Sequence, residues 1–141
     1  MKVCIITLIA LTGFACTKQA TPVELSKICS PDNEKKYVVT SGFLSDRGSI
    51  FCTSTGGGTV KCGLDVIAST GGNKVFGADV AEGTGANKIE KLESGYKRSD
   101  IKIHDNTGKV ISLTDKVTLT GQMSIAPDGS VCFMIVDKIE R

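Results

Sequence analysis

The sequence predicts a mainly β fold, built as a small antiparallel β-barrel. Segments in which apolar and polar residues alternate recur along the chain, as expected for strands with one buried face. The 141-residue chain contains 16 glycines, which suit tight turns between such strands. Two short helices are also predicted, one before the strands and one between them. A β-sandwich is the alternative architecture.

The first 15 residues are predicted to be a secretory signal peptide. Lys2 supplies a positive charge, an apolar run follows from Val3 to Leu11, and the segment leads through residues 13–15 to Cys16. This order is typical of an export signal. The run is too short to span a bilayer as a helix, which needs about 20 apolar residues. Residues 1–15 are therefore left out of the predicted fold.

The end of this segment resembles the lipobox of bacterial lipoproteins, in which a small residue precedes a cysteine that becomes lipidated. Ala15 and Cys16 match the lipobox pattern, whereas Gly13 and Phe14 depart from it. The resemblance implies that Cys16 carries a lipid and anchors the exported protein to a bacterial membrane, facing the periplasm or the cell exterior. The alternative is an ordinary cleavage site that leaves Cys16 unmodified.

The remaining cysteines predict two disulfides. Cys4 would leave with the signal and Cys16 would carry lipid, and the four others are Cys29, Cys52, Cys62 and Cys132. An even number of cysteines in an exported domain favours a disulfide framework. Cys52 and Cys62 are symmetric about Gly57, so a hairpin that turns there sets them opposite each other. Cys29–Cys132 then follows by elimination, although four cysteines allow three pairings.

Residues 16–36 are predicted to form the lipid-anchor tether and a short helix. Thr21 is a candidate N-cap, Pro22 suits the first helical position, and Glu24 completes a capping box. A helix this short is stable only when it docks on the rest of the domain.

The barrel domain is predicted over residues 37–141. Its first strand is Tyr37–Leu44, which is rich in β-branched and aromatic residues. Five further strands are expected at Ile50–Ser54, Thr59–Ala68, Val75–Ala81, Lys116–Ala126 and Ser130–Ile139. Two shorter strands, Asp100–His104 and Lys109–Leu113, flank a turn sequence and predict a second hairpin.

One segment between these strands changes its period and predicts a short amphipathic helix. Asn87 can cap its start, and Ile89, Leu92 and Tyr96 share the spacing of one helical face. Gly95 is placed to end the helix.

The predicted order of elements is several strands, one short helix and then further strands. Five-stranded barrels of the OB type have the same order, with their helix between the third and fourth strands. The segment Val117-Thr118-Leu119-Thr120-Gly121 resembles the strand that precedes the final hairpin in many OB folds. The resemblance covers residues 37–139 and implies an OB-like domain. OB folds bind oligonucleotides and oligosaccharides, but a fold alone does not imply a function.

No motif identifies a catalytic, cofactor-binding or metal site. His104 is the only histidine and is predicted to be exposed on its strand. The basic residues between 88 and 102 interleave with acidic ones, as on a solvated surface. The formal net charge of +2 argues against a general polyanion binder, so nucleic acid is not an expected partner.

The sequence therefore predicts a non-enzymatic cell-envelope lipoprotein that acts as a binding or interaction module without a cofactor. Its expected partners are the membrane, through the lipid anchor, and an envelope protein or a glycan. A small envelope enzyme that uses carboxylates or a Ser/Lys pair is one alternative. An OB-fold protein that binds nucleic acid is the other.

Overall fold

The computed structural model describes residues 17–54 and 56–141. The predicted signal peptide and the predicted lipidation site, Cys16, lie outside the described residues. In the described part, the strands are β1 Thr21–Pro22, β2 Tyr37–Ser45, β3 Phe51–Ser54, β4 Val60–Ile67, β5 Lys74–Ala81, β6 Ile103–His104, β7 Val110–Ile111, β8 Lys116–Ile125 and β9 Cys132–Glu140. Short 3-10 turns occur at Leu25–Lys27, Pro31–Asn33 and Arg98–Asp100. None of the helices in these ranges has the length and hydropathy needed to cross a membrane.

Five strands close into a barrel in the order β2, β4, β5, β9, β8 and back to β2. Neighbouring barrel strands are antiparallel except for β5 and β9, which pair in parallel. The first three barrel strands thus follow one another in space, and the last two form a hairpin, an arrangement of the OB type. The prediction of a small, mainly β, OB-like barrel is confirmed.

The alternation of residues along each strand determines what lies inside the barrel. In β4, Cys62, Leu64 and Val66 point inward and are at most 3% exposed, whereas Gly63 and Asp65 alternate with them on the outer face. Full burial of one such aliphatic side chain is worth about 1.5–3 kcal/mol. The same period-two pattern that predicted the strands therefore separates the core from the outer surface.

The β8–β9 hairpin requires a glycine where its two strands come closest. The pairing register shifts between Thr120 and Gly121. A Cβ atom on Gly121 would lie 2.1 Å from the carbonyl oxygen of Ile135. Gly121 thus permits a backbone approach that other residues would obstruct.

The segment before the barrel packs against it. The predicted helix start at Thr21 is wrong, because the first helical turn is the 3-10 turn Leu25–Lys27. Thr21 and Pro22 pair in parallel with Val38 and Val39 of β2 instead. This pairing covers a stretch of β2 that β4 does not reach, and so satisfies backbone groups that would otherwise lack partners. The 3-10 turns that follow bring Ile28 into the core with 0% exposure.

The amphipathic helix predicted between the barrel strands is also wrong. Residues 87–95 form a loop without a helix, which begins and ends in turns and in which the backbone N–H of Ile89 donates to the carbonyl of Ala81. Asn87, the expected cap, has a φ of 59° and its Oδ1 accepts a hydrogen bond from the N–H of Ile139 at 2.8 Å. Pairing with the barrel thus replaces a helix that is marginal at this length.

Two disulfides link these elements. Cys52 and Cys62 face each other across β3 and β4, at the register expected from the glycine hairpin. Cys29 and Cys132 join the N-terminal turns to the start of β9 over a sequence separation of 103. The second disulfide closes a loop that contains most of the barrel.

The two disulfides are expected to differ in their contribution to stability. In the chain-entropy model, removing the link over 103 residues lowers the free energy of unfolding by about 4–5 kcal/mol, and removing the link over 10 residues by about 2–3 kcal/mol. Urea denaturation of the Cys29→Ala/Cys132→Ala and Cys52→Ala/Cys62→Ala proteins measures both losses. Equal losses, or a larger loss for the hairpin disulfide, would contradict the expectation.

Candidate ligand-binding groove

The outer face of β4 and β5 carries an open groove with a volume of about 720 Å³. The two strands form its floor, and the loop that joins β8 to β9, with the first residues of β9, forms one wall. OB folds bind their ligands on the face of the second and third barrel strands and at the neighbouring loops. The groove occupies the corresponding place in this barrel.

Two glycines, Gly63 and Gly77, place no side chain on the floor of the groove. Gly63 on β4 pairs with Asp79 on β5, and Gly77 on β5 pairs with Asp65 on β4. A Cβ atom on Gly77 would lie 3.3 Å from the Cβ of Phe133, so this glycine allows close packing of β5 against β9. On Gly63 the nearest atom would be 3.7 Å away, an ordinary contact. Packing therefore does not require a glycine at position 63.

The two carboxylates of the groove have different surroundings. Asp65 lies 2.9 Å from the Nζ of Lys74 and 3.3 Å from the Nε of Arg47, so its charge is compensated. Asp79 has neither a hydrogen bond nor an ion pair within 4.0 Å among the described residues. Burial raises the pKa of Asp79, while the positive charges of Lys61 and Lys74 act in the opposite direction.

Apolar side chains lie in the wall of the groove and on the strand next to its floor. Phe51 on β3 pairs with Gly63 and is 78% exposed. Val131, in the wall, is 47% exposed, and Phe133 beside it is partly buried. Exposed apolar side chains around a depression are typical of surfaces that bind a partner.

The Cys29–Cys132 disulfide also lines this groove. Cys132 is the first residue of β9 and follows directly on the loop that forms the wall. The disulfide thus attaches the base of the wall to the N-terminal turns, which restricts its movement relative to the floor.

His104 is not exposed as the sequence predicted, because its side chain is only 15% exposed. Its Nε2 lies 2.8 Å from Oε1 of Glu90, and its Nδ1 lies 3.0 Å from the carbonyl oxygen of Gly108. The Gly108 carbonyl and Glu90 raise the pKa of His104, and the hydrogen bond from His104 lowers the pKa of Glu90. His104 lies outside the groove and connects the loop of residues 87–95 to the β6–β7 hairpin.

A metal centre is not supported at the one cluster of potential ligands in residues 17–54 and 56–141. The Sγ atoms of Cys52 and Cys62 and a carboxylate oxygen of Glu82 lie within 4.8 Å of one another. The two sulfurs are bonded to each other, whereas cysteine binds metals as a thiolate.

The basic residues between 88 and 102 are partly compensated by carboxylates. Three of them have carboxylates at 3.8 Å, in the pairs Lys91–Glu93, Arg98–Asp46 and Lys102–Glu90. The aromatic ring in this region is also engaged, since the hydroxyl of Tyr96 accepts a hydrogen bond from the N–H of Ile50. The surface is therefore of mixed charge, and among the described residues only Lys88 and Lys97 of this group have no ion pair within 4.0 Å.

Comparison with known proteins returned no matching family model, no matching curated protein and no matching solved structure.

Sequence reasoning did not identify this groove. In the sequence, Asp79 is a single polar residue within a predicted strand, and Gly63 is an outward-facing position of another strand, so neither indicates a binding site. The signal that could have been used is the pairing of an outward-facing glycine with an outward-facing acid on neighbouring strands, which requires the strand register.

The His104–Glu90 pair is expected to make stability depend on pH. The raised pKa of His104 stabilises the fold fully below its unfolded value of about 6.5, and this contribution is lost as pH rises through the folded pKa. The lowered pKa of Glu90 stabilises the fold above about 4.3 and is lost as pH falls through the folded pKa. The stabilising effect is therefore largest between these two values.

Urea denaturation across the pH range tests this expectation with the variants His104→Gln and Glu90→Gln. The difference in unfolding free energy from the wild-type protein should peak between about pH 4.3 and 6.5 and shrink on both sides. The two profiles should differ in size, because Glu90→Gln also removes the Lys102–Glu90 pair, while the Gly108 carbonyl still raises the pKa of His104 in that variant. A difference that does not vary with pH would contradict the assignment.

Proposed function

We propose that this chain is an exported lipoprotein whose OB-like barrel is a non-enzymatic binding module, with its ligand in the groove over β4 and β5. The observation that carries the proposal is the coincidence of three features at one place. The groove lies on the face that OB folds use for ligands, exposed apolar side chains lie in its wall and beside its floor, and the floor holds a carboxylate that has no partner among the described residues.

The rigidity of the surroundings supports a binding role. The floor belongs to a closed barrel, and the wall begins at a disulfide-bonded cysteine, Cys132. A binding surface that is already ordered loses less conformational entropy when its ligand binds.

The disulfides and the start of the sequence support export. Disulfides persist mainly in oxidising compartments such as the periplasm and the cell surface. Cys16 follows a segment with the composition of a signal peptide and is the proposed site of the lipid.

An envelope protein is the ligand that the groove favours. Phe51 is a large aromatic side chain left in solvent beside the groove, and aromatic side chains are common anchors of protein interfaces. The chain contains no tryptophan, a residue that often stacks on sugars. A glycan ligand is an outcome that the experiment below can detect.

The lipid anchor is tested by intact mass measurement of the protein purified from its native membrane. The expected mass corresponds to cleavage before Cys16 plus acyl chains, with a gain of about four hydrogens on reduction of two disulfides. The variant Cys16→Ser should lose the acyl mass and leave the membrane fraction. A mature protein without acyl chains would refute the anchor.

The groove is tested by photo-crosslinking in native membranes. A photoreactive phenylalanine analogue at Phe51, which pairs with Gly63 of the groove floor, should form a discrete adduct, whereas the same analogue at Val110, which is exposed on β7 and pairs with His104, should not. Gly63→Leu should abolish the adduct by filling the floor. Adducts that form equally at both positions, or that persist in Gly63→Leu, would refute the groove as the binding site. Protease-resistant adducts that glycosidases remove would assign the ligand as a glycan.

A further inference from the structure

We propose that the groove recognises a cationic side chain, the ammonium of lysine or the guanidinium of arginine, in a polypeptide ligand, and that Asp79 is the residue that pairs with it. This inference rests on the proposed function, because it assumes that the groove is the ligand site. It adds the chemical class of the group that the ligand must present.

The contrast between the two groove carboxylates is the first argument. Asp65 is compensated within the protein by Lys74 and Arg47. Asp79 is half-buried, yet no cation of the described residues lies within 4.0 Å of it. A partly desolvated carboxylate without a partner is unfavourable in the free protein, and a cation supplied by a ligand would remove that penalty.

The row of residues across the three strands is the second argument. Phe51 on β3 pairs with Gly63 on β4, and Gly63 pairs with Asp79 on β5, so these residues share the outer face. Neighbouring strands lie about 4.8 Å apart, which separates Phe51 from Asp79 by roughly 10 Å. Gly63 adds no side chain between them, and Oδ1 of Asp79 extends to 3.7 Å from the position that a Cβ of Gly63 would take.

This row matches the chemistry of lysine and arginine side chains. Both have a long apolar stem that packs on apolar surface while the charged head seeks a polar partner. The stem can lie over Gly63 and against Phe51, with the head directed at Asp79. Aromatic rings also attract cations directly.

The neighbouring charges are consistent with this assignment. Lys61 and Lys74 are the two cations that influence the carboxyl of Asp79. Lys74 is already paired with Asp65 at 2.9 Å, and Lys61 lies one step along β4, opposite Ala81. An anionic ligand group placed over Gly63 would instead meet the carboxylate of Asp79, whose nearest charge partners lie beyond 4.0 Å among the described residues.

The test is an NMR titration of the full mature protein with two blocked tripeptides, one centred on arginine and one on citrulline. The probes have nearly the same shape and differ in charge. The arginine probe should shift the amide signals of Gly63, Gly77 and Asp79 and bind about tenfold more tightly than the citrulline probe, as a charge-assisted pair implies.

Matched variants assign the effect to one carboxylate. Asp79→Asn should abolish the preference for arginine over citrulline, whereas Asp65→Asn should retain it. Asp79→Lys should reverse the charge preference, so that a glutamate-centred probe binds more tightly than its glutamine counterpart. Thermal unfolding should show that Asp79→Asn is no less stable than the wild-type protein, because it removes an unpaired carboxylate.

The outcomes separate the two proposals. Equal binding of the arginine and citrulline probes at the groove would refute cation recognition and leave the groove as a peptide site. A preference that survives in Asp79→Asn would refute the role of Asp79. If no peptide probe shifts the groove signals at millimolar concentration and the crosslink at Phe51 is unaffected by Gly63→Leu, both proposals fail.

Discussion

The parallel pairing of β5 with β9 is the constraint on which the rest of the structure depends. Parallel strands cannot be joined by a hairpin, so the chain needs a long connection between them. Here that connection includes the loop after β5, the β6–β7 hairpin and β8. The loop contributes Ile89 to the core, and His104 attaches it to the hairpin. The irregular segment is therefore part of the connection that allows the barrel to close.

The same pairing creates the groove. Because β9 lies beside β5, the loop before β9 rises along one side of the outer face of β4 and β5. Gly77 allows the close contact with Phe133 at this junction, whereas Gly63 keeps the middle of the face open. One glycine thus serves packing and the other leaves space, although both have the same place in the alternation of their strands.

The sequence predicts what depends on local patterns and misses what depends on distant pairing. The strands follow from period-two alternation, and Cys52–Cys62 from symmetry about Gly57. The helix was predicted after Asn87 because the apolar residues there have the spacing of a helical face. That prediction was wrong, because Ile89 is buried through bridges to Glu82 and Ile103 and not by the packing of a helix. Asp79 is recognisable as unpaired only when the positions of all cations around it are known.

The short segment before β1 has a consequence for how far the barrel could travel. Only Thr17–Ala20 separate Cys16 from β1, a span of at most about 18 Å when fully extended. Lys18 lies over the ring of Tyr37 with its Nζ 4.8 Å from the ring centroid, which shortens the free length further. With a lipid on Cys16, the barrel would be confined to a thin layer beside the bilayer. It would then meet other membrane-anchored molecules by diffusion in two dimensions.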